Sequence, residues 1–244
     1  MRWPLFERRR RPSRGIIIGG CARSGTTLLL SILSSHKEIC AIPYETQVLC
    51  PTAYGPDFRS KTLLSLSSID SHLQRHLQGR RYRYWCEKTP KNVWFFKRIL
   101  TELTKRIKII HIVRDGRDVI VSRHPQKPND FWVSAERWIQ DVTYGHEIAG
   151  HPRVLTIRYE DLVSHFEETV NTLFKFLGLE VSVEVLDFPN HATVRKNDAW
   201  PDGVGPIHQR SIGKWKSPEF VGRVEGFLQR ERAVTLLRHY HYLS

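Results

Sequence analysis

Between residues 15 and 36 the chain carries a pattern that few folds can use: Gly-Ile-Ile-Ile-Gly-Gly, a short glycine-bounded loop, then an almost wholly apolar run. Three consecutive isoleucines without polar alternation predict a strand, Gly15–Gly20, covered on both faces as in a parallel sheet. Thr26–Leu33 (TTLLLSIL) is too apolar for a helix that faces water, so it is expected to pack on that sheet. Between the two, Gly20-Cys-Ala-Arg-Ser-Gly25-Thr26-Thr27 fits the spacing G-x-x-x-x-G-x-[ST]. The glycines permit the turn, and backbone N–H groups at the helix start then converge on an anion. The competing reading is a plain strand-to-helix turn. The two glycines and the terminal threonine, set between a strand and a helix, favour a phosphate loop.

One departure bears on the chemistry. A nucleotide triphosphatase places Lys before the last Thr of this loop; here Thr26 stands there, and the cation is Arg23. Such enzymes also hold Mg²⁺ with a carboxylate after another core strand. The best second strand, Lys108–Val113 (KIIHIV), runs instead into Arg114 before Asp115. A positive charge at that tip disfavours a bound dication, so the loop reads as a seat for a phosphorylated group without a metal.

Strand and helix signals alternate along the chain. Further strands are expected at Tyr82–Cys86 and Val154–Arg158. Helices are expected at Pro90–Leu103, Gly116–Arg123, Phe131–Ala149, Phe166–Leu177 and Glu219–His239. Gly178 stands at a left-handed C-cap position, residues 51–80 read as loop and weak helix, and 181–217 as irregular. The alternation implies βαβ crossovers: an α/β fold, a P-loop-containing parallel sheet with helices on both faces. The expected organisation is a basic tail, 1–14, and one domain, 15–244. Ligands of such sheets bind beyond the carboxyl ends of the strands.

The formal charge of +13 has two readings, solubility or an anionic ligand such as nucleic acid, acidic lipid or a phosphorylated cofactor. Arg8–Arg11 hold four charges in a terminal run that reads as a solvated tail; the rest are spread, which favours a pocket over a nucleic-acid arm. Cys21, Cys40, Cys50 and Cys86 form no C-x-x-C pair, so neither a zinc site nor a disulfide scaffold is expected. No apolar run reaches transmembrane length and no signal-peptide core follows the basic start. A reducing, cytoplasmic setting is the expectation.

The residues just after each strand carry the remaining signals. Arg114 is placed to clamp a phosphate, with Ser122 donating a hydroxyl to the same group; alternatively Arg114 pairs with Asp115 or Asp118 as scaffolding. Lys88 sits at a strand end beside a helix start, where it suits a reacting anion or serves as a solvated loop charge. Tyr159 reaches the ligand or packs. Two rival functions stand beside a metal-free anion site: a P-loop kinase using ATP and Mg²⁺, and a non-catalytic nucleic-acid-binding protein.

Taken together, GCARSGTTLLLSILSSH, EKTP, HIVRDGRDVIVS and IRYEDL resemble the sulfotransferases that use 3′-phosphoadenosine-5′-phosphosulfate (PAPS). The resemblance runs from about Gly15 to Leu177 and returns at Ser211–Lys216 (SIGKWK). It points to the broad bacterial group and to the tyrosylprotein sulfotransferases, which share an Arg-Ser-Gly-Thr-Thr loop. It implies that Arg23, Ser24, Gly25, Thr26 and Thr27 hold the 5′-phosphosulfate, and that Arg114 and Ser122 hold the 3′-phosphate. Tyr159 matches a cofactor-contacting tyrosine, and Ser211, Gly213 and Lys214 fall in a late cofactor-closing segment. Glu45, in Pro43-Tyr44-Glu45-Thr46, matches the catalytic base, although only one acidic residue precedes Thr46 here, which leaves a structural Glu45 as the alternative. His36 and His124 compete for that role, because other sulfotransferases use histidine. The implied reaction is sulfuryl transfer to an acceptor hydroxyl or amine by metal-free in-line displacement. Arg23 and Lys88 stabilise charge, and 3′,5′-bisphosphoadenosine leaves. The acceptor (small molecule, carbohydrate, lipid or peptide) is expected to meet residues 51–80 and 181–210, where Tyr54 and Trp200 could stack on a ring.

Overall fold

The structure, a computed structural model, describes residues 12–50, 64, 66–77, 80–124, 126–195 and 203–244. Arg8–Arg11, Tyr54 and Trp200 lie outside the described residues. Five strands form the central sheet: β1 (Arg14–Gly20), β2 (Ile39–Ala41), β3 (Tyr84–Lys88), β4 (Ile107–Val113) and β7 (Val154–Arg158). A separate antiparallel hairpin, β5 (Arg123–His124) and β6 (Lys127–Phe131), lies between β4 and β7 in sequence. The sheet order is β2-β3-β1-β4-β7, and every pairing is parallel. From β3 the chain crosses over β1 to reach β4, so the carboxyl end of β1 opens at a topological switch point.

The described helices are α1 (Thr26–Ser34), α2 (Ser67–Gln74), α3 (Phe96–Glu102) after a 3₁₀ segment at Pro90–Phe95, α4 (Gly116–Ile120), α5 (Ala135–His146), α6 (Tyr159–Ser164), α7 (Phe166–Leu177), α8 (Val183–Leu186), α9 (Phe188–His191), α10 (Val221–Leu228) and α11 (Glu231–His239). Among the described residues no helix is long and apolar enough to cross a membrane, and all four cysteines are free and buried.

The three isoleucines of β1 are fully buried and divide between the two faces. Ile16 and Ile18 pack with Leu29, Leu33, Leu173 and Phe174, from α1 and α7. Ile17 packs on the opposite face with Trp85, Phe96 and Ile99. Burial of a side chain of this size stabilises by about 1.5–3 kcal/mol. A third cluster, including Val113, Trp138, Phe227 and Leu236, joins α5, α10 and α11 beyond the end of β4.

Several boundaries differ from expectation for identifiable reasons. The domain's first strand starts at Arg14, one residue earlier than expected. β3 runs to Lys88, so Lys88 is itself the strand tip. Pro90–Leu103 is not one α-helix: its first six residues are 3₁₀. α5 starts at Ala135 rather than Phe131, because Ser134 caps it by accepting from the Arg137 N–H at 3.2 Å, while Phe131 belongs to the hairpin. The helix expected over Glu219–His239 breaks at Arg230, whose backbone is extended. The buried positions Val224 and Phe227 are out of phase with Ala233, Leu236 and Leu237; a break lets both sets face the core. Gly178 does close α7 in the left-handed region, with φ 72°.

Part of the positive excess is structural. At the amino end of the sheet, Arg83 Nη1 donates to Gly178 O at 2.9 Å, Tyr84 Oη to Leu177 O at 2.5 Å, and Lys108 Nζ to Phe176 O. These donors satisfy the last carbonyls of α7 and complement the negative end of its dipole.

His111, within β4, is fully buried between Phe96, Tyr240 and Gly145, and neither ring nitrogen has a partner. Burial, reinforced by His146, pushes its pKa down to about 3. The unfolded chain then binds more protons than the folded one below about pH 6.5, so this contribution to stability is present above that pH and is lost as pH falls toward 3. Lowering the pH from 7.5 to 5 is expected to cost about 2 kcal/mol through His111. Denaturant melts of the wild type and His111→Leu at both pH values measure it, with a smaller pH loss expected in the variant.

Candidate active site

The loop after β1 is shaped by contacts that only glycine tolerates. A Cβ on Gly20 would lie 2.2 Å from Ile112 O of the adjacent strand. Gly25, with φ 92°, would bring one to 2.5 Å from Tyr159 Cδ2. Arg23 holds a left-handed φ of 68°, a cost of about 1–2 kcal/mol for a residue with a side chain. Gly25 then hands the chain into α1, whose N-terminus has no side-chain cap. Ser24 is fully buried, and its Oγ has no partner. Thr26 and Thr27 follow as the first, buried residues of α1. The result is a turn of donors with an unused hydroxyl among them.

Arg114, one residue past β4, leans over this loop. Its Nη1 donates to Arg23 O at 2.9 Å and its Nη2 to Ser211 O, while its guanidinium sits 4.5 Å above the Tyr159 ring. Its Nε is buried without a partner. Arg114 pairs with neither Asp115 nor Asp118, which are engaged elsewhere; two backbone carbonyls hold it instead. Asp115 binds Arg117 at 2.7 Å. Asp118 accepts from Gly213 N at 2.8 Å and Trp215 N at 3.1 Å, tying the late segment down. Burial, with the like charge of Arg114, pushes the Arg23 guanidinium below its usual value. Two arginines that close, with the nearby carboxylates occupied, make a field that favours an anion.

Ser122, beyond α4, donates to Asp118 O at 2.9 Å, so its hydroxyl is engaged as well as near Arg114 in sequence. Tyr159 packs on Gly25 and faces Arg114. Gly213 takes a left-handed φ of 74°, and Lys214 is exposed on the 3₁₀ turn that follows.

On the other side of β1, Lys88 Nζ meets Glu45 Oε1 at 2.7 Å, with Lys88 almost wholly buried and the Glu45 side chain 43% exposed. Lys88 is therefore no solvated loop charge. The residue that sequence reasoning missed is Glu87. It is fully buried, and burial raises its pKa against the opposing hydrogen bonds. Its Oε1 accepts from Thr46 Oγ1 at 3.0 Å and Thr89 Oγ1 at 2.5 Å, and its Oε2 from Asn92 Nδ2 at 2.6 Å. Asn92 also donates to Ile18 O at 3.1 Å. Glu87 thus fastens the Glu45–Thr46 turn to the sheet. A carboxylate beside Lys88 in an otherwise apolar strand was the available signal.

The histidines are placed otherwise. His36 is buried at the far end of α1 from the loop, against Phe174, and its Nδ1 accepts from Glu38 N at 3.2 Å. His124 stacks on Trp132 at 4.0 Å, and its Nδ1 accepts from Gln126 N, holding the hairpin turn. The structure brings Arg23, Ser24, Gly25, Arg114, Tyr159 and Ser211 together, and Glu45 with Lys88.

The donor set suits a phosphorylated, anionic ligand: Ser24 Oγ and Arg114 Nε are donors with no partner, and Arg114 stands over a loop that carries the half-buried Arg23. A sulfotransferase domain model matches residues 13–196, and the chain belongs to that family. It is 27% identical over 256 residues to protein-tyrosine sulfotransferase 2 of Gallus gallus, covering 89% of this chain and 66% of that protein. It is 28% identical over 255 residues to protein-tyrosine sulfotransferase 1 of Danio rerio, covering 90% of this chain and 69% of that protein. The chain thus spans about two thirds of the length of these relatives. The sulfotransferase domain of the Synechococcus PCC 7002 olefin synthase shares the fold with a TM-score of 0.60 at 18% identity, over 100% of both chains.

Replacing Glu87 with Ala leaves Thr46, Thr89 and Asn92 without their acceptor. A loss of about 2–4 kcal/mol is expected in denaturant melts, and Glu87→Gln, which keeps an acceptor, should lose less.

Proposed function

We propose that the chain is a PAPS-dependent sulfotransferase that transfers a sulfuryl group to an acceptor hydroxyl or amine without a metal ion. The observation that carries this reading is Arg114: a nearly buried guanidinium that joins the loop at Arg23 to the segment at Ser211 and has no carboxylate partner. Membership of the sulfotransferase family supports it, as does a neighbouring fold, a mouse sulfotransferase described as complexed with PAP (TM-score 0.53).

When bound, PAPS supplies the activated sulfuryl group. The residues Arg23–Thr27 would bind its 5′ end, with the Ser24 hydroxyl and the helix start as donors. Arg114 would hold the 3′-phosphate, the Ser122 hydroxyl would turn from Asp118 O to the same group, and Tyr159 would line the site beneath Arg114. Glu45, half-exposed and anchored through Thr46, would take the acceptor's proton at its carboxylate. Its partner Lys88 would stabilise negative charge beside it, together with Arg23. The names of the Gallus and Danio relatives favour a protein tyrosyl hydroxyl as acceptor. The kinase reading lacks a loop lysine before Thr27 and meets an arginine where a metal-holding carboxylate would stand. The nucleic-acid reading is weakened by cations such as Arg83 and Lys108, which cap a helix end.

Thermal-shift titration checks the nucleotide: 3′,5′-bisphosphoadenosine is expected to raise the melting temperature and ATP with Mg²⁺ is not. The opposite order would overturn the reading. Arg114→Ala is expected to weaken the bisphosphate by about 2–5 kcal/mol. Glu45→Gln is expected to slow turnover about 10²–10⁴-fold with nucleotide affinity kept, measured by single-turnover transfer; turnover at the wild-type rate would remove Glu45 from the mechanism.

A further inference from the structure

Glu160, in the IRYEDL motif, has no part in the mechanism above, yet it joins the site to a distant segment of the chain. It stands next to Tyr159, at the start of α6. Its Oε1 accepts from the backbone N–H of Asp115 at 3.1 Å, one residue past Arg114. Its Oε2 accepts from Tyr242 Oη at 2.7 Å. The carbonyl of Tyr242 in turn accepts from Arg117 Nη2 at 2.7 Å, and Arg117 forks onto the Asp115 carboxylate. The four residues Asp115, Glu160, Tyr242 and Arg117 close a ring of hydrogen bonds around the turn that launches the Arg114 side chain.

Tyr242 is delivered to this ring by a constrained backbone. His241 holds a left-handed φ of 57°, and the N–H of Tyr242 donates back to Leu237 O at 2.8 Å. This is a Schellman-type helix ending at a residue other than glycine, a conformation that costs about 1 kcal/mol or more and needs support from its surroundings. That support is visible: the Tyr242 ring lies under the Arg158 guanidinium, 4.6 Å from its centre. The ring of bonds also reaches the late segment, since Arg117 stacks on Trp215 at 4.0 Å and Trp215 N–H is held by Asp118. Both ends of Arg114's tether, its own backbone and the stretch carrying Ser211, are therefore braced by one network.

We propose that Tyr242 is a positioning residue for the 3′-phosphate: through Glu160 it fixes the backbone turn at Asp115, and so aims Arg114. The proposal rests on the reading that Arg114 holds that phosphate. It predicts a selective effect, because a misaimed Arg114 penalises ligands that carry a 3′-phosphate more than those that lack one. The experiment is calorimetric titration of 3′,5′-bisphosphoadenosine and of 5′-AMP into the wild type, Tyr242→Phe and Glu160→Gln, each first checked for a cooperative melt. Tyr242→Phe keeps the ring beneath Arg158 and removes one hydrogen bond to a carboxylate. It is expected to weaken the bisphosphate about ten-fold and to leave 5′-AMP within about two-fold of the wild type. Glu160→Gln should move the preference the same way, and carries the test if the tyrosine variant does not fold. An unchanged preference between the two nucleotides, or equal weakening of both, overturns the role of Tyr242. A wild type that binds both nucleotides equally removes the reading of Arg114 instead, and the proposal with it.

Discussion

A guanidinium held by two carbonyl oxygens and a tyrosine face, with no carboxylate of its own, is the interaction around which this site is arranged. Arg114 donates to the backbone of the phosphate loop at Arg23 and of the segment at Ser211, so a single side chain 91 residues from the one and 97 from the other joins them. Carbonyl dipoles orient an arginine without cancelling its charge, and a charge left uncancelled in a partly buried place attracts an anion more strongly than one in water. The acidic residues nearby serve this arrangement by being occupied: Asp115 with Arg117, Asp118 with two backbone N–H groups, Glu160 with Asp115 and Tyr242. The carboxylates around Arg114 build the frame and leave its guanidinium without a counter-ion.

The same division runs through the whole charge distribution. At the amino end of the sheet Arg83 and Lys108 close the last turn of α7. At the carboxyl end Arg23 and Arg114 meet at the phosphate loop, and Lys88 stands at the tip of β3 against Glu45. A parallel sheet makes this separation natural, since all strand tips of one kind lie along one edge and β1, at the centre, sets its loop between the tips of β3 and β4. The described cations therefore divide between the two ends of the sheet, some capping a helix end and some gathered at the strand tips.

Much of the frame was legible in the residues themselves. Gly15–Gly20 read as an interior strand because three adjacent β-branched residues have no polar partner, and all three isoleucines are indeed fully buried. The loop was legible because glycine spacing is imposed by local contacts, here the approach of Ile112 O and Tyr159. Less visible were β2, three residues long and defined only by its pairing with β3, and the hairpin Arg123–Phe131, whose residues lack any alternation of apolar and polar. Glu87 escaped notice for a related reason. Nothing local distinguishes a buried carboxylate from an exposed one until Thr46, Thr89 and Asn92 are brought to it by the fold. The break at Arg230 was hidden because each half of the expected helix is amphipathic, and only their relative phase betrays it.

What the sequence by itself determined is the strand–loop–helix at the front of the chain, the parallel alternation behind it and the family, because these depend on short-range sterics and on motif spacing. What only the tertiary structure decided is which charges meet. Glu45 lies against Lys88 across 43 residues, His36 is set against Phe174, and Arg114 is left without a carboxylate while Asp115 and Asp118 turn elsewhere. Pairing of that kind is settled by which side chains the packed strands and helices bring within about 3 Å, and no local stretch of sequence encodes that distance.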